Sequence, residues 1–108
     1  MTKDWRDPIH PGEQLADELE EIGINGLQLA RMIELPHNRI YEILRGERSI
    51  TASTALRLGK FFNMNPEFWL NLQKKYDLET ARKLEDKELR SIKPFKRSKP
   101  SSQTGAHL

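Results

Sequence analysis

The sequence predicts an all-α domain of five to six helices, and three observations carry that reading. Apolar residues recur at helical spacing from residue 11 to about residue 90. No stretch alternates apolar and polar residues as a strand would. Helix-start and helix-stop residues stand where each periodic run begins and ends.

The elements follow in order. PGEQLADELEEIG opens with a proline suited to a first turn, places Leu15, Leu19 and Ile22 on one face and stops at Gly23. In INGLQLARMIE, Asn25 is a cap whose reciprocal partner is Gln28, and Leu29, Ala30 and Ile33 face inward. After Glu34-Leu35-Pro36, the run HNRIYEILR repeats Ile40, Ile43 and Leu44 and ends at Gly46. Thr51 caps TASTALRLGKFFN, whose inward residues are Ala55, Leu58 and Phe62, and Asn65-Pro66 starts EFWLNLQKKY. DLETARKLEDKEL either extends this fifth helix or forms a sixth capped at Asp77. Three regions result: an N-terminal arm over 1–10, a helical domain over 11–90, and a flexible basic tail over 91–108 that is rich in Ser, Pro and Lys. The tail is either a nucleic-acid-seeking arm or a solvated end.

Composition narrows the function. A chain of 108 residues, 36% hydrophobic and 31% charged, has room for one compact domain. Without cysteine there is no disulfide framework and no thiol nucleophile. No apolar run approaches the roughly 20 residues needed to span a bilayer, so a cytoplasmic protein without membrane attachment is expected. The three histidines (His10, His37, His107) lack metal-ligand spacing, and no glycine-rich phosphate loop occurs. No catalytic residue, metal or cofactor is therefore expected, and His10 is assigned to organising the start of the first helix. Charge is divided along the chain. Residues 1–25 hold two basic and seven acidic groups, whereas residues 37–60 hold five basic and two acidic ones. One face thus suits phosphate and another repels it.

Two short helices joined by a tight turn, with polar groups early on the second, match a helix-turn-helix. Ala30 permits a close helix crossing, and Ile40 and Ile43 supply the inner side of the second helix. The base-reading set is then His37, Asn38, Arg39, Tyr41 and Glu42, near the start of the third helix. Arg39 suits guanine and Asn38 adenine. Glu42 accepts from cytosine or pairs within the helix with Arg39 or Arg45. Tyr41 packs on sugar or a thymine methyl, or is a half-buried surface aromatic. Arg45, Arg48, Ser49 and Thr51 form the phosphate set, with Thr51 first of all a cap. Because one small module buries only about 600 to 1,000 Å², a homodimer on an inverted-repeat operator is expected, its reading helices about 34 Å apart. Phe68, Trp69, Leu70, Leu72 and Tyr76 form the expected dimer interface, since they cover more of the fifth helix than one small core needs. The alternative is that all five belong to the core of one protomer.

The motifs HPGEQLADEL, NRIYEILRGERSITASTALRLGKFF and NPEFWLNLQKKYDLETA together resemble the HigA/VapI-type antitoxins of the xenobiotic-response-element, Cro and lambda repressor-like helix-turn-helix superfamily. The likeness covers about residues 9–81. It implies a lambda repressor-like fold and a homodimeric DNA-binding antitoxin that neutralises a HigB-type, RelE-like messenger-RNA endonuclease and represses its own operon. A stand-alone regulator without a toxin partner is the first alternative, and a protein-interaction module using the acidic first helix is the second. Two positions depart from the family pattern: Gly26 stands where glutamine is common, and Glu34 where glycine is common at the inter-helix turn.

Overall fold

The computed structural model describes residues 7–97, and among them the only regular elements are five helices. These are α1 (Pro11–Ile22), α2 (Gly26–Ile33), α3 (His37–Leu44), α4 (Ala52–Phe62) and α5 (Glu67–Arg90). Local chemistry accounts for their ends. The His10 side chain accepts from the Gly12 N–H at 2.9 Å through Nδ1, and Pro11 fills the first turn of α1. At α2 the capping box is complete: Asn25 Oδ1 accepts from Gln28 N, and Gln28 Oε1 accepts from Asn25 N, both at 2.8 Å. Thr51 caps α4, and Asn65 Oδ1 accepts from Glu67 N at 2.9 Å beside Pro66. Gly23 ends α1 in the left-handed region at φ 78°.

The core joins all five helices through Leu15, Leu19, Leu29, Ala30, Ile33, Ile40, Ile43, Ala55, Leu58 and Trp69, with Ile50 of the α3–α4 loop among them. Gly12 sets how closely α1 meets α3. A β-carbon there would stand 1.9 Å from the Ile43 carbonyl oxygen, so any larger residue forces the helices apart.

Three expectations change. Ile22 lies at the last turn of α1 with 47% of its surface exposed, because the helix ends before that position meets a partner. The residues after Tyr76 continue α5 rather than start a sixth helix, since no glycine or proline interrupts 67–90; only Glu85 leaves helical values, at φ −115°, ψ 19°. Trp69 is fully buried in the protomer's own core, which removes it from the expected dimer surface. Leu70 and Leu72 are half-buried against that core, and Tyr76 meets the His10 ring edge-on at 4.8 Å. Of the five, Phe68 is the one with an exposed ring, at 36%. Among the described residues no helix is long and apolar enough to cross a membrane, and no group of His, Asp or Glu is placed to hold a metal. Residues 92–97 have no regular structure and are exposed. The remainder of the expected tail, and residues 1–6 of the arm, lie outside the described residues.

Candidate nucleic-acid interface

Helix α3 buries Ile40 and Ile43, so positions 37, 38, 41, 42 and 45 fall on its opposite face. His37 and Asn38 are exposed there; Arg39, Tyr41 and Glu42 are half-buried. The helix starts at Pro36 with no side-chain cap, in contrast to α1, α2 and α4. Arg45, Arg48, Ser49 and Thr51 are all exposed along the turn that leads into α4. The residues expected from the sequence to read bases thus lie on α3, and those expected to meet phosphate lie at its end and along the turn into α4.

The pairings among these residues differ from the sequence expectation at one residue. Glu42 makes no direct ion pair with Arg39 or Arg45, although, second to Glu47, its charge helps to raise the Arg45 pKa. Its Oε1 accepts from Arg48 Nε at 2.6 Å, around the turn that Gly46 makes at φ 79°. Arg45 instead donates to Glu47 at 3.1 Å, and this hydrogen bond, reinforced by the same carboxylate's charge, holds the Arg45 guanidinium above its ordinary pKa. Tyr41 packs against the start of α2: a β-carbon on Gly26 would stand 3.0 Å from its ring. A side chain at position 26 would therefore require the tyrosine ring to give way by a few tenths of an ångström. His37 meets the same ring edge-on at 6.5 Å.

The turn between α2 and α3 shows how the other departure is accommodated. Glu34 adopts φ 61°, ψ 48°, the left-handed conformation that favours glycine. Arg57 reaches from α4 and donates through Nη1 to the Ile33 carbonyl at 2.7 Å and the Glu34 carbonyl at 3.3 Å. These carbonyls would otherwise lack partners at the end of α2. The guanidinium also borders an open cleft of about 560 Å³ between α2 and α4, lined by Met32, Ile33, Leu56 and Phe61. Beneath the loop between α3 and α4, buried Gln73 of α5 accepts from Ile50 N at 2.7 Å and donates to Asp77 at 2.9 Å. Neither Arg57 nor Gln73 stands out in the sequence. The one available signal was a polar residue four positions after Trp69, in register with the buried face of α5.

A helix-turn-helix family model matches residues 15–69. The chain is 35% identical over 96 residues to antitoxin HigA-1 of Vibrio cholerae, a match covering 88% of this chain and 90% of that one. An addiction module antidote protein of the HigA family from Coxiella burnetii is 50% identical and superimposes with a TM-score of 0.80, covering 82% of this chain and 99% of its own. The Pseudomonas aeruginosa antitoxin HigA, solved with the higBA promoter, is 42% identical with a TM-score of 0.78, covering 81% and 97%.

Proposed function

Because the chain belongs to the helix-turn-helix family, and within it to the HigA-type antitoxins, we propose that it is a cytoplasmic, sequence-specific DNA-binding antitoxin. In this reading it represses its own operon as a homodimer and neutralises a HigB-type, RelE-like messenger-RNA endonuclease. The observation that carries the proposal is the run from the start of α3 through the turn that follows it, where exposed Asn38 and half-buried Arg39 are succeeded by exposed Arg45, Arg48 and Ser49. That arrangement fits the division of labour of a DNA reader, in which base edges are addressed from the start of the recognition helix and phosphates from its flanks. Arg39 is assigned to guanine, Asn38 to adenine, and Tyr41 and His37 to contacts at the groove edge. Arg45, Arg48, Ser49 and Thr51 are assigned to phosphate. No residue is assigned to catalysis.

Dimerisation follows from the modest surface that one such module buries on DNA. Exposed Phe68 on α5 and exposed Leu56 on α4 are the apolar groups we assign to the pairing surface.

The test is titration of the purified protein against the duplex immediately upstream of its own gene, with a scrambled duplex as control, at two salt concentrations. Tight, selective binding to an inverted repeat supports the proposal, and Arg39→Ala then costs about 1 to 3 kcal/mol and relaxes one base preference. Equal, weak, salt-sensitive binding to both duplexes refutes it. Co-purification with the product of the adjacent gene, and loss of that product's ribonuclease activity on complex formation, test the antitoxin half.

A further inference from the structure

Glu42 raises a question of sign. It is a carboxylate on the face that the proposed function turns toward a polyanion, where every uncompensated negative charge opposes binding. The structure shows what it does in the free protein. The chain after α3 folds back so that Glu47 N donates to the Glu42 carbonyl at 2.8 Å, which carries Arg48 over the last turn of the helix. There the Glu42 carboxylate accepts from Arg48 Nε at 2.6 Å, with 30% of the Glu42 and 47% of the Arg48 side chain exposed. An exposed ion pair of this kind adds little to folding stability. Its consequence is conformational, because an arginine paired through Nε spends more of its time in one rotamer, and its terminal nitrogens remain to meet a phosphate as a planar fork.

We propose that Glu42 is a positioning residue for DNA binding: it takes the Nε of Arg48 and fixes the guanidinium in place before a phosphate arrives. This inference rests on the assignment of Arg48 to phosphate made above. The ordering cost of a long side chain is met during folding rather than on the DNA. Glu42 then favours binding even though its charge opposes it, and it does so without reading sequence. Two other roles for the same side chain make different forecasts. An acceptor for a cytosine amino group affects one base pair only. A bystander carboxylate, once removed, lets DNA bind more tightly.

The experiment is a set of binding isotherms for the full chain on the duplex upstream of its gene and on a scrambled duplex, at two salt concentrations. The variants are Glu42→Ala, Glu42→Gln, Arg48→Ala and the double substitution Glu42→Ala with Arg48→Ala, each checked for an unchanged thermal melt. Glu42→Ala is expected to weaken binding to both duplexes by about two- to tenfold, the range set by immobilising one rotamer-rich side chain. Glu42→Gln should bind at least as tightly as the parent, because its amide oxygen still accepts from Nε and the opposing charge is gone. In the Arg48→Ala background, loss of Glu42 should cost nothing further. If Arg48→Ala weakens both duplexes while Glu42→Ala leaves binding unchanged, tightens it, or weakens it at a single base pair, the positioning role is overturned and the phosphate role of Arg48 stands. If Arg48→Ala itself leaves binding unchanged, the phosphate assignment fails and the inference fails with it.

Discussion

Gln73→Met is the sharpest test of how the reading surface is held. Gln73 is 6% exposed, and its amide oxygen is the acceptor for the N–H of Ile50, itself 3% exposed and only one residue from both Ser49 and Thr51. Methionine keeps the length of the side chain and removes the acceptor. The Ile50 N–H is then a buried donor out of reach of water, which costs about 1 to 3 kcal/mol. The lost bond to exposed Asp77 adds little, since water replaces it. Partly offset by the more apolar side chain, the net loss should be about 1 to 2 kcal/mol, or a fall in melting temperature of roughly 5 to 10 °C for a domain of this size. Urea unfolding should show a lower midpoint at unchanged slope. Hydrogen exchange should show the Ile50 amide losing protection out of proportion to the other core amides. DNA affinity should fall alike for upstream and scrambled duplexes, because the loop that carries the phosphate set has loosened. An unchanged midpoint together with an unchanged Ile50 exchange rate would refute the argument.

Three further substitutions separate core, strain and clamp. Trp69→Ala removes a fully buried ring whose Nε1 has no hydrogen-bond partner among the described residues, so packing alone holds it; a loss of about 3 to 5 kcal/mol is expected in thermal unfolding. A variant that folds normally but sediments as a monomer would contradict its core position. Glu34→Gly relieves a left-handed residue at φ 61° and should stabilise by about 0.5 to 1 kcal/mol without altering operator preference, as read from a denaturation midpoint and a binding isotherm. Arg57→Ala deprives the Ile33 and Glu34 carbonyls of their donor and should cost about 1 to 2 kcal/mol, with Arg57→Lys recovering part of it; equal stability in all three proteins would show the clamp to be idle.

The parts of this fold that were legible in the sequence are those decided within one helical turn. Asn25 with Gln28, Thr51, Asn65-Pro66 and Gly23 all act where their spacing places them, because a cap's donor and acceptor are neighbours in the chain. The inward residues of α2 and α3 were legible for the same reason, since each helix has one narrow apolar stripe. Helix α5 was not, because aromatics surround it and the choice of Trp69 for the core is made by where the other helices pack. Nor could spacing reveal that Glu42 meets Arg48, since that contact needs the chain to reverse at Gly46. Gln73 and Ile50 are separated by 23 residues and Arg57 and Ile33 by 24, distances at which no local pattern carries information.

These long-range contacts explain why positioning and reading should separate experimentally. Helix α3 and the loop after it are fixed by the Gly12 backbone against the Ile43 carbonyl, by the Tyr41 ring against Gly26, by Arg57 at the end of α2 and by Gln73 at Ile50. Apart from Tyr41, none of these groups is among those assigned to base edges. Loosening any of them lets the whole surface tilt or fray, so specific and non-specific complexes weaken together. Asn38 and Arg39 stand at the start of the same helix, where, on the proposed assignment, a substitution should leave the scaffold intact and change which base edge is matched. Selectivity should therefore respond to a few side chains on one turn, whereas affinity should respond to residues spread over all five helices, many of which never approach the DNA.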